Sequence, residues 1–374
     1  MNIFRRINNK LLDLLIEFQR KQMARSYSKM EIAKFRKGAK RDIIRQVNLT
    51  KEQKREIDSL YLKNYGRKIP YYWHKEYYAA SGRFDSLFFP EHLYMPVFER
   101  LLNSPKYFEC IGDKCISDMI AISSKGVCFP PTTYLKCSNG VIINEGGIVL
   151  DKNEAVSSLK GKDFFIKPSK NTAQGNKCYI YKSTDFNNDN ITTVLDSFGK
   201  DFIVQKVVKN CEQLAILNPS SLNTIRVITY ILDNRVYHCP LIIRMGRKGK
   251  IIDNACAGGI YIGVTDDGYL LEEAHDHDYK RYSIHPDTGF VFKGHKIDGI
   301  DKVIAAAHTL QAMIPYVGVI NWDFTIDDDK KVILIEANTY YGSPWLSQIA
   351  HGKGAFGSNT IKILQMLKNN KNMY

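Results

Sequence analysis

Two apolar segments near the C-terminus, separated by a short polar turn, constrain the fold of this chain most. They cover residues 319–326 and 331–338, and an acidic turn lies between them at 327–330. Two such segments around a turn predict an antiparallel β-hairpin. With the turn centred near residue 329, Asp323 faces Glu336 across the hairpin.

Asp323, Glu336 and Asn338 form a candidate metal site on this hairpin. Asn338 lies two residues past Glu336 and therefore on the same face of the sheet. Hard oxygen ligands without His or Cys suit Mg²⁺, and buried acids without a partner are costly. The alternative is a solvated hairpin with chance acids, which is our interpretation of the turn residues 327–329.

A second candidate site begins at Lys167, which closes the apolar strand 164–167. A polar loop with Gly175 follows before the next strand. A strand-end lysine can bind phosphate as a point charge, and a glycine-containing loop can bring backbone N–H groups to phosphate oxygens. Taken alone, the segment is equally typical of a surface hairpin with exposed lysines.

The positive charge is concentrated at the N-terminus. The 374 residues include 53 Lys and Arg against 39 Asp and Glu, and residues 1–70 hold 19 of the former and 7 of the latter. Apolar spacing predicts helices over 1–65, one of them capped by Thr50 with Gln53. The basic region has three interpretations: a solvated helical bundle, an amphipathic segment (1–45) on an anionic membrane, or a nucleic-acid-binding region. No recognised nucleic-acid module accompanies it, so nucleic acid is not the expected partner.

Other sequence features bear on the compartment and on the remaining elements. Eight cysteines are scattered without a C-x-x-C pair, which favours free thiols in a reducing cytoplasm. The apolar run near the N-terminus is broken by Asp13 and Glu17, so neither a signal peptide nor a transmembrane helix is expected. The aromatic run 71–78 is interpreted as core packing, with a sugar-stacking platform as the alternative. Strands are predicted at 164–167, 179–181, 202–208, 224–232, 236–244, 318–326 and 332–337, and helices at 114–122, 153–159, 191–198, 301–313 and 359–368.

Several segments follow one another along the chain: Ile166-Lys167-Pro168 with its loop, the strand 202–208, Ser221-Leu-Asn-Thr-Ile-Arg-Val-Ile-Thr, Arg244, Asn254 with Gly258-Gly259, Asp323, and Glu336-Ala-Asn338. In this order they resemble the ATP-grasp superfamily, and the resemblance covers about 107–350. The run from Ser221 is similar to the branch associated with sugar transfer and capsule biosynthesis. The resemblance implies an α+β fold in which two subdomains grip ATP.

The resemblance also implies roles for individual residues. The residues that would bind ATP are Lys114, Lys167, the lid residues Gln174, Gly175 and Lys177, the hinge residues Gln205, Lys206 and Val207, and Glu212. One or two Mg²⁺ ions would be held by Asp323, Glu336 and Asn338. The catalytic set would be Arg226, Arg244 and Asn254. Family members often carry Glu where this chain has Gln205.

The expected organisation has four parts: a basic helical region (1–106), a pre-ATP-grasp segment (107–150), a lid subdomain (151–208) and a core subdomain with the metal site (209–374). The implied activity is that of a carboxylate–amine ligase acting through an acylphosphate. The alternatives are an ATP-grasp kinase that phosphorylates a sugar or other hydroxyl, and a non-catalytic membrane- or nucleic-acid-binding module.

The expected substrates are a small-molecule carboxylate and an amine, with a lipid-linked or polymeric sugar of surface polysaccharide biosynthesis as a further candidate. The expected location is the cytoplasm. Peripheral contact with the inner face of the membrane, through residues 1–45, belongs to the membrane interpretation.

Overall fold

The computed structural model describes residues 2–104, 107–170, 178–185, 187–249 and 258–370, and the structural statements concern those residues. N-terminal helices precede a six-stranded sheet, called sheet 1, and an eight-stranded sheet, called sheet 2. Every described pairing between their strands is antiparallel. The predicted α+β class is therefore confirmed.

The helices lie mostly in the N-terminal third and around sheet 2. They are α1 (Asn2–Ala33), α2 (Gly38–Ile44), α3 (Lys51–Asn64), α4 (Tyr72–Ser81), α5 (Glu91–Leu93), α6 (Arg100–Leu102), α7 (Phe108–Ile111), α8 (Lys114–Ser123), α9 (Lys152–Ser158), α10 (Asn188–Phe198), α11 (Glu212–Ala215), α12 (Ile300–Met313), α13 (Trp345–His351) and α14 (Asn359–Asn369). Short 3₁₀ helices cover Lys34–Arg36 and Ser183–Asp185, and a π-helical segment, Tyr94–Glu99, joins α5 to α6.

Sheet 1 has the order β3-β2-β1-β6-β4-β5, and sheet 2 has the order β12-β11-β10-β9-β7-β13-β14 with β8 paired to β7. The strands are β1 (Thr133–Ser138), β2 (Val141–Asn144), β3 (Val149–Leu150), β4 (Phe164–Pro168), β5 (Tyr179–Tyr181), β6 (Phe202–Lys206), β7 (Thr224–Leu232), β8 (Arg235–His238), β9 (Leu241–Met245), β10 (Ile260–Val264), β11 (Leu270–Asp276), β12 (Arg281–Tyr282), β13 (Val319–Ile326) and β14 (Val332–Asn338). Sheet 1 takes three strands from each side of the expected boundary at 150–151, and the division into subdomains stays a prediction.

One predicted strand is divided in the structure. The segment predicted at 236–244 forms β8 and β9, which are separated at Pro240. Proline lacks the backbone N–H that a ladder needs, so the chain turns there and the two halves pair with different parts of β7. Among the described residues, no helix is both long and apolar enough to cross a membrane, and the seven described cysteines are free thiols.

The N-terminal helices pack on sheet 2 rather than forming a separate core. The predicted capping box of Thr50 and Gln53 is present at the start of α3. Trp73 and Tyr77 of the aromatic run are fully buried in one cluster with Ile242 of β9, as the core-packing interpretation expects. A second cluster joins helices of this region to β7, β13 and α14. The basic N-terminal region therefore covers part of sheet 2.

Candidate active site

A row of three charged side chains runs across β7, β13 and β14, the last three strands of sheet 2. Arg226 of β7 lies opposite Asp323 of β13, which lies opposite Glu336 of β14. The predicted pairing of Asp323 with Glu336 is confirmed by this register. Side chains at directly opposed positions project from the same face of a sheet, so the row forms one polar patch.

Asp323 is the most deeply buried member of this patch, with 2% of its surface exposed. The Arg226 guanidinium donates to both of its carboxylate oxygens, from Nε to Oδ1 at 2.8 Å and from Nη2 to Oδ2 at 2.7 Å. Arg244 Nη2 lies 3.1 Å from Oδ2, and Asn338 Nδ2 donates to the same oxygen at 3.3 Å. Burial opposes ionisation of Asp323, but the two arginines outweigh it and hold its pKa below the usual range.

Glu336 connects this patch to two buried lysines. Lys114 Nζ, at the start of α8, lies 3.0 Å from Glu336 Oε1. Lys167 comes from β4 of sheet 1, and both lysines are buried. Burial first, and then the charge of Lys114, lowers the pKa of Lys167. The structure therefore brings together Lys114, Lys167 and Glu336, which the sequence had placed in one site.

The position of α8 is fixed by two contacts at its first turn. Asp113 caps the helix by accepting from the Cys115 N–H at 2.8 Å. The Lys114 N–H donates to the Ser169 carbonyl just beyond β4, at 2.9 Å. Because α8 also packs against β14, these contacts tie the end of β4 to the strand that carries Glu336.

The hinge residue Gln205 has its side chain committed to protein contacts. It is buried, and its Nε2 donates to Asp118 Oδ1 at 3.2 Å and to Thr133 Oγ1 at 3.1 Å. The backbone N–H of Lys206 donates to the Thr132 carbonyl at 2.8 Å. The side chain of Gln205 is thus committed within the protein, whereas the next two residues line a cavity.

That cavity has a volume of about 290 Å³ and lies where the β13–β14 turn meets the segment after β6. Its lining includes Lys206 and Val207, together with Pro131, Asp327 and Ile333. Glu212 is exposed at the start of α11 and does not line it. Of the predicted hinge residues, Lys206 and Val207 thus line the cavity and Gln205 does not, and the predicted nucleotide residue Glu212 also lies outside it.

A family model described as "Sugar-transfer associated ATP-grasp" matches residues 95–363. The chain belongs to this family. The basic region up to residue 94 precedes the matched segment. No curated protein matches the sequence.

The ATP-grasp chain is also similar to many solved structures. One is an N5-carboxyaminoimidazole synthetase from Staphylococcus aureus, complexed with ADP (9% identity, TM-score 0.38, covering 65% of this chain and 52% of that one). Others are the VanG D-Ala:D-Ser ligase from Enterococcus faecalis (11%, 0.41, 69% and 61%) and an L-amino acid ligase from Bacillus licheniformis (11%, 0.41, 71% and 48%). The chain thus spans about half to three fifths of these proteins.

Four of the expected ATP-grasp residues lie outside the described residues. They are Gln174, Gly175 and Lys177 of the expected lid and Asn254 of the expected catalytic set. Their roles stay predictions from the family resemblance.

The donor chemistry of the patch fits a magnesium ion. Asp323 and Glu336 offer carboxylate oxygens, and Asn338 retains its Oδ1 because Nδ2 is the atom that faces Asp323. Within the described residues, no group of three or more His, Cys, Asp and Glu side chains could hold a metal. A metal at this patch would therefore rest on two carboxylates and one amide, with further ligands from a phosphate and water.

Sequence reasoning missed a buried polar cluster next to the patch. Asn321 lies two residues before Asp323 on β13, and its Nδ2 is the atom that a Cβ added at Gly342, in the loop after β14, would meet first. The Gly342 N–H donates to Glu99 Oε2 at 2.8 Å, and the Ser343 hydroxyl donates to Glu91 Oε2 at 2.6 Å. In the sequence, the only indication of this cluster is Gly342, which lies four residues past Asn338. Nothing in the helical pattern marked the two glutamates as buried.

Proposed function

We propose that this ATP-grasp protein is an ATP-dependent carboxylate–amine ligase that acts through an acylphosphate. The observation that carries the proposal is the meeting of four cationic side chains with the carboxylates of Asp323 and Glu336. The four are Lys114, Lys167, Arg226 and Arg244. A site of this composition suits a polyphosphate together with a divalent cation. We further propose that the acceptor is a carboxylated sugar of surface polysaccharide biosynthesis, in line with the family's description.

The four cationic side chains form two pairs, one beside each carboxylate. Lys114 and Lys167 lie beside Glu336, at the side of the patch nearest sheet 1, and would bind phosphate oxygens of ATP. Arg226 and Arg244 are held by Asp323 before any ligand arrives. They would stabilise charge on the transferring phosphoryl group without reorganising, which is how preorganised charge lowers a barrier.

Asp323, Glu336 and Asn338 would hold Mg²⁺, which would supply charge neutralisation at the phosphate oxygens when bound. A carboxylate is a poor electrophile, so it must be activated first. A substrate carboxylate oxygen would attack the γ-phosphorus of ATP as ADP leaves. The amine nitrogen would then attack the acyl carbon as phosphate leaves, and the amine would lose a proton. The protein's part is to bind, orient and exclude water, because water would hydrolyse the acylphosphate.

The test is ADP release over a panel of uronic acids and amino acids. ADP that appears only when both an acid and an amine are present is the result expected of a ligase. ADP released with a neutral sugar alone would identify a kinase instead. Failure to bind Mg-ATP and to turn over any substrate would overturn both enzyme interpretations and leave the non-catalytic module.

A pair of variants tests the metal assignment. Glu336→Gln should abolish turnover while the protein stays folded. Glu272→Gln makes the same chemical change on β11 of the same sheet, where the side chain is 68% exposed and pairs with Lys293. This control should retain full activity. Normal activity in Glu336→Gln would refute the metal assignment.

A further inference from the structure

The N-terminal half of α1 carries an apolar face without a partner in the described structure. Leu11, Leu14, Leu15 and Phe18 are 53–58% exposed. Their spacing places them on one arc of about 100° around the helix. Of the α1 side chains that the structure describes, the first to pack against a hydrophobic core cluster is Tyr27.

The opposite face of α1 holds the helix to the rest of the protein. Ala24 is buried, and the Tyr27 hydroxyl lies 2.7 Å from that of Tyr341. The Arg100 guanidinium lies 5.1 Å from the centre of the Tyr27 ring. At about 3.6 residues per turn, Ala24 and Tyr27 project about 130° and 170° away from the centre of the apolar arc. The apolar face therefore points away from the protein.

Basic residues continue this outward face toward the C-terminal half of the helix. The same helical arithmetic places Lys21, Arg25 and Lys29 in line with the apolar residues. Arg25 and Lys29 are exposed, and Lys21 pairs with Glu17 of the same helix at 3.0 Å. Residues 1–45 hold 13 Lys and Arg against 4 Asp and Glu. One face of α1 thus carries apolar side chains in its N-terminal half and basic side chains further along the helix.

We propose that α1 is an interfacial helix that lies lengthwise on an anionic lipid surface. Leu11, Leu14, Leu15 and Phe18 would insert at the boundary between headgroups and acyl chains. The basic continuation of the face would bind the negative headgroups. A second copy of the chain complements this face less well, because its identical basic residues would repel. An anionic bilayer satisfies both the apolar and the charged part.

The contact with Tyr341 adds a consequence that rests on the proposed function. Tyr341 lies three residues past Asn338, in the loop that leaves the candidate site. A bilayer bound by the outward face of α1 would hold that loop close to the membrane, where a lipid-linked sugar would be found.

The test is co-sedimentation of the full-length protein with vesicles. Phosphatidylcholine vesicles with phosphatidylglycerol should bind it, and phosphatidylcholine alone should bind it much more weakly. The double variant Leu14→Asp/Phe18→Asp should lower the partition coefficient by about tenfold or more. Lys21→Gln/Arg25→Gln/Lys29→Gln should reduce the preference for the anionic vesicles. High salt should weaken binding by the wild-type protein.

Ile361→Asp is the matched control, because Ile361 is an exposed apolar residue of another surface helix, α14. It should bind vesicles like the wild type. The Leu14/Phe18 variant should keep the wild-type urea midpoint, because neither side chain belongs to a core cluster.

Three results would overturn the proposal. The first is wild-type protein that does not bind anionic vesicles. The second is a Leu14/Phe18 variant that binds them as well as the wild type does. The third is a wild-type protein that binds no vesicles and forms a dimer, which the Leu14/Phe18 variant does not form. The last would assign the face to a second copy of the chain. The assay needs no ATP turnover, so its failure would leave the ligase proposal standing.

Discussion

Asp323→Asn should destabilise the protein far more than Glu336→Gln, although both remove a carboxylate from the same patch. Asp323 is 2% exposed and is the shared anion of Arg226 and Arg244, whose side chains are 20% and 9% exposed. An asparagine there removes the negative charge that the two largely buried guanidinium groups share. Removing one partner of a buried ion pair costs about 3–5 kcal/mol.

Glu336 contributes less than Asp323 to the stability of the protein. Its side chain is 25% exposed, and Lys114 is its ion-pair partner. A glutamine can still accept a hydrogen bond from that lysine, so we expect a loss of about 1 kcal/mol. Asp329→Asn on the exposed turn should leave stability unchanged.

Urea unfolding, followed by tryptophan fluorescence and circular dichroism, measures these differences. A loss of 3 kcal/mol or more corresponds to a midpoint lowered by about 1 M. A double-mutant cycle with Arg226→Met isolates the Asp323–Arg226 interaction. The double variant should lose much less unfolding free energy than the sum of the losses in the two single variants. A free energy of unfolding for Asp323→Asn within about 1 kcal/mol of wild type, or additive losses in the cycle, would refute the reasoning.

Three further predictions concern buried polar groups. Burial raises the pKa of Glu91 to about 8, so the free energy of unfolding should fall as pH rises from about 5 to 8. Glu91→Gln should reduce that dependence by up to about 1.4 kcal/mol per pH unit. Equal pH dependence of wild type and variant in urea titrations would contradict this. Gly342→Ala places a Cβ about 2.1 Å from Asn321 Nδ2, so it should cost about 1–3 kcal/mol in the same assay. Gln205→Glu sets a second carboxylate against Asp118 and should destabilise the protein at pH 8 more than at pH 5, with equal losses at both values as the contrary result.

The hairpin of β13 and β14 was predictable because its sequence carries its own register. The predicted facing of Asp323 and Glu336 is present, while a bulge between Asp323 and Phe324 shifts the half of the hairpin next to the turn by one residue. The strands of β10 and β11 were not predicted. They pair with each other, and β10 also pairs with β9, but β11 mixes acids with apolar residues and so lacks the pattern of a buried strand. Local pattern decides register within a hairpin, but it does not reveal which neighbour covers a strand.

The buried glutamates show a second limit. Glu91 and Glu99 lie in the N-terminal helical region, and a glutamate is normally exposed to solvent. They are buried because the loop after β14 returns to them, with Gly342 donating to Glu99 and Ser343 to Glu91. Those contacts join residues more than 240 positions apart in the chain. No periodicity within the helices could have signalled them.

Gln205 shows how a departure from the family pattern follows from its neighbours. Its buried amide donates to Asp118, whose other oxygen accepts from the Thr133 hydroxyl at 2.5 Å. Burial raises the pKa of Asp118, and a glutamate at 205 would add a second negative charge to a site that already disfavours one. With Asp118 in place, an amide is the side chain that satisfies it. Recognition of a base at the hinge would then fall to the main chain of Lys206 and Val207, where side-chain identity matters little.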